Sequence, residues 1–233
     1  MALNNPDNRP IALVTGGSRG IGRAIAEDLG RDHHVLVGAT TYDGAHAVAS
    51  LLPSAGEFVV DLTDVEAVSA ELKRTLGDAP LDVIVHSAGV FVGGNVEDIA
   101  YADWVRILDV NVAAVAELTR QTLPALRAAN GIVVTINSGS GFRASPGSAA
   151  YAASKFALRA FTDALREEER GNVRVTSVHP GRVDTDMQVA IQGEEGYDGS
   201  KYVTPSSIAK AVRLAVDAGM DCSVDEVQVR PRK

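Results

Sequence analysis

The stretch IALVTGGSRGIG, residues 11–22, joins an apolar run to a glycine-rich turn and opens an amphipathic segment. It reads as strand, turn and helix. Gly16, Gly20 and Gly22 are spaced G-x-x-x-G-x-G, one residue away from the phosphate-binding pattern G-x-G-x-x-G. Glycine lets a backbone turn tightly and approach a pyrophosphate, which then rests on the N-terminus of the following helix. A turn that merely needs glycine is the bland alternative, but its place after the first strand favours phosphate binding. Residues 16–20 also match G-x-S-x-G, a nucleophile elbow centred on Ser18. That hydrolase reading is weak. Almost no chain precedes the turn to supply an oxyanion N–H, and the one late histidine, His179, sits in HPG.

Outward from this stretch, short runs rich in Val and Ile alternate with longer amphipathic segments. The runs are 11–15, 34–38, 57–60, 81–85, 132–136, 173–178 and 224–229. Most lack polar alternation, as strands buried on both faces of a parallel sheet do. Helical patterns fall at 20–30, 43–52, 64–76, 101–129, 151–170 and 205–218. The alternation predicts an α/β fold: one domain over residues 1–233, a doubly wound, mainly seven-stranded parallel sheet with helices on both faces. Residues 187–204 are polar, carry three glycines and break the rhythm, so a loop or short substrate lid is expected there.

The net charge of −8 argues against a nucleic-acid binder, which needs a basic face. No apolar run is long enough to suggest a membrane span. A single cysteine, Cys222, excludes an intrachain disulfide and fits a reducing, cytoplasmic compartment. The opening MALNNPDNRP has neither the basic nor the apolar part of a signal peptide. The histidines at 33, 34 and 46 lack metal-ligand spacing, and no metal is expected.

After the second strand the chain reads Ala39-Thr40-Thr41-Tyr42-Asp43, with no acid at the strand end to grip a ribose 2′-hydroxyl. Asp43 is expected to cap the next helix instead. Arg19, inside the glycine turn, could meet a 2′-phosphate, helped by Thr40 and Thr41. NADP(H) is therefore favoured, with NAD(H) possible. Farther on, Asn111 falls on the apolar stripe of 101–129, where a buried amide needs partners. Pro124 should kink or shorten that helix. Ser138 follows strand 132–136, at the carboxyl edge where open α/β sheets collect ligands. Tyr151 and Lys155 are four residues apart and share a helix face. A nearby ammonium favours the phenolate and can bring a tyrosine toward acid–base use.

Taken together these residues resemble the short-chain dehydrogenase/reductase family in its compact form, over essentially the whole chain. TGGSRGIG resembles its cofactor loop, Asp61-Leu62 its adenine-binding segment, and HPGRVDT (179–185) its nicotinamide-side segment. HSAG (86–89) stands where the family has N-N-A-G, and VQVRP resembles its last strand. Asn111, Ser138, Tyr151 and Lys155 match its catalytic four, with Ser138 thirteen residues before Tyr151. The resemblance implies a single Rossmann-fold oxidoreductase that moves a hydride between nicotinamide and a carbonyl or alcohol. Tyr151 would be the general acid or base. Lys155 would hold the ribose and depress the tyrosine pKa. Ser138 would orient the carbonyl oxygen, and Asn111 would hold a water in the proton path. Cofactor contacts would come from Gly16, Ser18, Arg19, Gly20, Ile21, Thr40, Asp61, Leu62, Ser87, Ala88, Gly89, Tyr151, Lys155, Pro180, Gly181, Val183 and Thr185. Ser87 departs from the family asparagine, which puts that side-chain role in doubt, and His86 is expected simply to be packed. A homodimer or homotetramer is implied. A nucleotide-sensing protein of the same fold is the alternative, although it would not need the proton relay. The lid and the loops 90–96 and 139–148 would set the substrate, in a small or open pocket.

Overall fold

Apolar runs without alternation form strands covered on both faces. Every residue of β1 (Ile11–Val14), β4 (Val83–His86) and β5 (Ile132–Ile136) is buried. With β2 (His34–Ala39), β3 (Ala55–Val59), β6 (Arg174–Pro180) and β7 (Glu226–Val229) they build one seven-stranded sheet, ordered β3-β2-β1-β4-β5-β6-β7. All six pairings are parallel. The computed structural model describes residues 5 and 7–232; residues 1–4, 6 and 233, which the single-domain expectation also spans, lie outside the described residues.

Alternate side chains of each strand serve two cores. Ala12 and Val14 face one side with Val35 and Val37, under α1 (Gly20–Leu29), α2 (Tyr42–Ala49) and α8 (Pro205–Val216). Ile11 and Leu13 face the other, under α3 (Val65–Thr75), α5 (Ala114–Ala129) and α6 (Ala149–Glu168). Caps set the helix starts. Asp64 accepts from the Ala67 N–H at 2.9 Å to open α3. For α2 the cap is Thr41, which accepts from Gly44 N–H at 3.2 Å. Asp43, expected in that role, lies one residue inside the helix, where its charge complements the positive end.

Two segments differ from expectation. The span 101–129 is not one α-helix: α4 (Tyr101–Leu108) passes through a five-residue π-helical turn, Asp109–Ala113, into α5. The interruption falls at Asn111. Pro124 stands inside α5, which continues to Ala129, so the proline does not shorten it. Buried Leu118 and Leu126 anchor the helix on either side. The expected loop at 187–204 is partly helical: α7 (Asp186–Gln192) is capped by Thr185, and a 3-10 turn covers Gly199–Lys201. No helix among the described residues is long and apolar enough to cross a membrane.

Ile84 lies on β4 between β1 and β5 and is wholly buried. Ile84→Ala should cost about 2–5 kcal/mol of stability through the cavity it leaves, read as a lowered midpoint in urea unfolding.

Candidate active site

β1 and β4 are neighbours, yet the chain continues from them toward opposite edges of the sheet. Their carboxyl ends therefore leave a crevice between diverging loops. Thr15 closes its floor. Its hydroxyl donates to Val85 O at 3.3 Å and accepts from the N–H groups of Ser87 and Ala88, both at 3.1 Å. The crevice opens into a cleft of about 1420 Å³ lined by the glycine turn, the ends of β2 and β3, residues 87–91, α4 and the start of α7.

The glycine turn suits a phosphate. Gly16 has φ +63°, and a Cβ there would stand 2.8 Å from the Ala88 Cα. A Cβ on Gly22 would meet Gly16 O at 2.2 Å, so α1 can approach this closely only without a side chain. Arg19 precedes α1 and supplies no side-chain cap, and the first turn carries no acid. The N–H groups at this helix end are thus left for a ligand anion. The donor set fits the pyrophosphate of a dinucleotide.

At the far end of the cleft stand Ser18, Arg19, Ala39 and Thr40. Arg19 is exposed and has no ion-pair partner among the described residues, and no acid ends β2. Thr41 is committed to capping, which leaves Ser18 and Thr40 as the hydroxyls that line this part of the cleft with Arg19. Asp61 lines the cleft with Leu62. Its carboxylate accepts from the Thr63 N–H at 3.0 Å and hydroxyl at 2.8 Å, and those bonds hold its pKa below the usual range. His86 is packed, as expected: burial drives its pKa down to about 3, and Nε2 lies 2.9 Å from Thr119 Oγ1. The single Thr119 proton goes to Val115 O, so the neutral ring donates through Nε2. Ser87 contributes its backbone to Thr15, a contact that asks nothing of the side chain.

Next to the cleft, behind Gly89 and Phe91, α6 starts two residues before Tyr151 and carries Tyr151 and Lys155 on adjacent turns. The Lys155 ammonium is buried, donates to Ile136 O at 3.0 Å and lies 5.7 Å from the Tyr151 ring centroid. Burial lowers its pKa from 10.5 to about 8. Tyr151 packs on Phe91 with ring centroids 5.1 Å apart. Its pKa is raised, chiefly by burial, with a hydrogen bond to Ser138 acting the other way. The direction is thus opposite to the depression expected from Lys155.

Asn111 spends its side chain on protein. Oδ1 accepts from Val90 N–H at 2.9 Å, and Nδ2 donates to Val90 O and Ser154 Oγ, both at 3.0 Å. Ser154 in turn donates to Tyr151 O at 2.8 Å. Asn111 and Lys155 converge near Gly89, where a Cβ would stand 3.2 Å from Asn111 Oδ1 and 3.9 Å from Lys155 Nζ. Ser138 is fixed through Asn137, whose amide accepts from Ser138 N–H at 2.8 Å and donates to Lys155 O at 3.2 Å. Thr15, Asn137 and Ser154 went unread in the sequence. Asn137 alone left a trace there, as a polar residue closing an apolar strand.

Gly16, Ser18, Arg19, Gly20, Ile21, Thr40, Asp61, Leu62, Ser87, Ala88, Gly89 and Thr185 all line the one cleft. The other five do not line it: Tyr151 and Lys155 stand behind Phe91 and Gly89, and three sit farther off. Pro180 ends β6, Gly181 lines a second, smaller pocket, and Val183 is buried and bridges to Val203. His179, the only late histidine, bonds Ser138 O at 3.2 Å with its ring buried, which ties it to Ser138 rather than to Ser18. No cluster of three or more potential metal ligands occurs among the described residues.

Because the folded state lowers the Lys155 pKa, it binds fewer protons than the unfolded chain between pH 8 and 10.5. The cost of burying the ammonium is full below pH 8 and fades as pH rises toward 10.5. Lys155→Met should gain on the wild type by roughly 3 kcal/mol at neutral pH relative to its standing above pH 10.5. Melting temperatures of the two proteins across that range give the comparison; a constant difference would contradict it.

The sequence matches the short chain dehydrogenase family over residues 10–196. An uncharacterized short-chain type dehydrogenase/reductase of Sinorhizobium fredii is 32% identical, over 97% of this chain and 94% of its own length. Glycine betaine reductase of Emericella nidulans is also 32% identical, but this chain spans only 19% of that protein. An alcohol dehydrogenase from the archaeon Thermococcus sibiricus, solved with 5-hydroxy-NADP, superposes with a TM-score of 0.86 at 28% identity, covering 96% of this chain and 97% of that one. The chain belongs to the short-chain dehydrogenase family of oxidoreductases.

Proposed function

We propose that this family member interconverts a carbonyl and an alcohol with NADP(H) in preference to NAD(H). The observation that carries the reading is the joining of two features through one cleft. Arg19 and Thr40 line it, with no acid at the end of β2, and the interlocked Ser138, Tyr151 and Lys155 adjoin it where Tyr151 packs on Phe91 and Lys155 approaches Gly89, both residues of the cleft lining. An acid at the β2 end would favour a free ribose 2′-hydroxyl, whereas an arginine favours a phosphate. A bound nicotinamide supplies or accepts the hydride. Gly16, Gly20 and the start of α1 would hold the pyrophosphate, Arg19 and Thr40 the 2′-phosphate, and Asp61 and Leu62 the adenine side.

The chain's own chemistry is the proton. In reduction the Tyr151 hydroxyl donates to the carbonyl oxygen, and in oxidation its phenolate takes the proton back. A raised pKa keeps Tyr151 protonated at neutral pH, the state a reductase needs. The Ser138 hydroxyl holds the substrate oxygen, and the Lys155 ammonium stabilises the phenolate as it forms. Asn111 is a positioning residue in this scheme, tied through Ser154 to the first turn of α6. Among the described residues its Oδ1 accepts only from Val90 N–H, so one lone pair is left with which to hold a water in the proton path. The same reading carries self-association, favoured by exposed Val105 and Leu108 on α4 and Phe156 on α6.

Titration with NADPH and NADH separately tests the cofactor choice. NADPH should bind more tightly, and Arg19→Ala should weaken it about tenfold or more while weakening NADH little. Equal affinities would contradict the assignment. Tyr151→Phe should lower turnover by about 100-fold or more with cofactor affinity retained, whereas near-normal turnover would remove Tyr151 from the mechanism. Light scattering should give a dimer or tetramer, and a monomer would end the self-association proposal.

A further inference from the structure

A second pocket, of about 900 Å³, lies between the loop after β5, the loop after β6, the Gly199–Lys201 turn and the segment after β7. Arg143, Arg182, Lys201 and Arg230 line it, with Tyr202, and no Asp or Glu does. Arg143 and Arg182 have no ion-pair or side-chain hydrogen-bond partner among the described residues. Arg230 bonds only the Gln228 amide, at 2.8 Å, and Lys201 alone has a carboxylate, Asp198, at 3.6 Å. Several exposed arginines elsewhere are paired, although Arg19 and Arg106 are not, among the described residues. Arg23, Arg74, Arg120 and Arg170 each pair with a glutamate on their own helix or just beyond it. In a chain of net charge −8, cations left without carboxylates and gathered round one hollow form a localised positive field.

The pocket wall begins at Gly139, the residue after Ser138, and consecutive Cα atoms lie only about 3.8 Å apart. We infer that this pocket receives the anionic end of the substrate, so that the enzyme acts on oxo acids and the corresponding hydroxy acids. The inference rests on the reading of Ser138 and Tyr151 as the carbonyl site. Arginine forks suit a carboxylate, which they can grip through two parallel N–H donors. A substrate spanning the two places would set its carbonyl at Ser138 and its carboxylate among Arg143, Arg182 and Arg230. The charge would then orient the molecule as well as hold it.

The test is a panel of 2-, 3-, 4- and 5-oxo acids, each beside its methyl ester, assayed with the intact protein and NADPH. At one chain length or more the acid should show kcat/KM about tenfold or more above its ester, lost as ionic strength rises. Arg143→Gln and Arg182→Gln should each lower that acid-to-ester ratio toward one, and Arg143→Lys should retain part of it. Esters turned over as well as acids at every length would overturn the inference while leaving the oxidoreductase reading intact. If nothing turns over, calorimetry with glutarate, which cannot be reduced, decides. Salt-sensitive binding lost in Arg182→Gln would keep the anion pocket and remove the carbonyl reading, and no binding would remove both.

Discussion

One hydroxyl holds the cleft together. Thr15 ends β1 where the sheet changes direction, and it accepts two backbone N–H groups that leave β4 while donating to a third strand-end group. Without that acceptor, the Ala88 amide would lose its partner and Ser87 would keep only its bond to Val85 O, at the point where chains diverge and no ladder can continue. An unmade bond there costs more than a made one stabilises. Fixing Ala88 also fixes the floor against which Gly16 is pressed, and Gly16 in turn receives α1 through its carbonyl at Gly22. The phosphate cradle, the helix end and the route to Gly89 are therefore set by one buried threonine.

The neighbouring Ser138–Tyr151–Lys155 site depends on backbone bonding of the same kind. Asn137 takes the N–H of Ser138 and gives to the carbonyl of Lys155, so a strand end and a helix middle are tied through one amide. Asn111 repeats the device, gripping both polar groups of Val90 and reaching Ser154. Both asparagines use their side chains to tie backbone segments together. They make the places where Ser138, Tyr151 and Lys155 can stand.

The parallel sheet and its two covered faces were legible because unbroken Val and Ile runs have few other homes than a parallel sheet. The glycine turn was legible because a missing Cβ leaves a spacing in the sequence. Thr15 and Ser154 were not, since a threonine at a strand end or a serine in a helix reads as ordinary until its partners, tens of residues away, are known. The cap at Thr41 was misassigned to Asp43 because both types cap helices, and a two-residue shift lies within the uncertainty of a boundary. The helical part of 187–204 escaped notice because α7 is a single short element, seven residues between Thr185 and Gly193. The tyrosine pKa was misjudged in direction because spacing shows a neighbouring charge and does not show how deeply both groups are buried.

The π-helical turn at Asp109–Ala113 has a further consequence, for what the gene can tolerate. A π turn holds one residue more than the α turn it replaces. Deleting a residue there would leave a smooth helix, and local propensity would accept it. Yet every position beyond would rotate by about 100°, carrying Leu118 and Leu126 off the core and Thr119 away from His86. The irregularity that presents Asn111 is thus locked in by the regular helix that follows it. Length in this segment should be inherited more strictly than the identity of most of its residues.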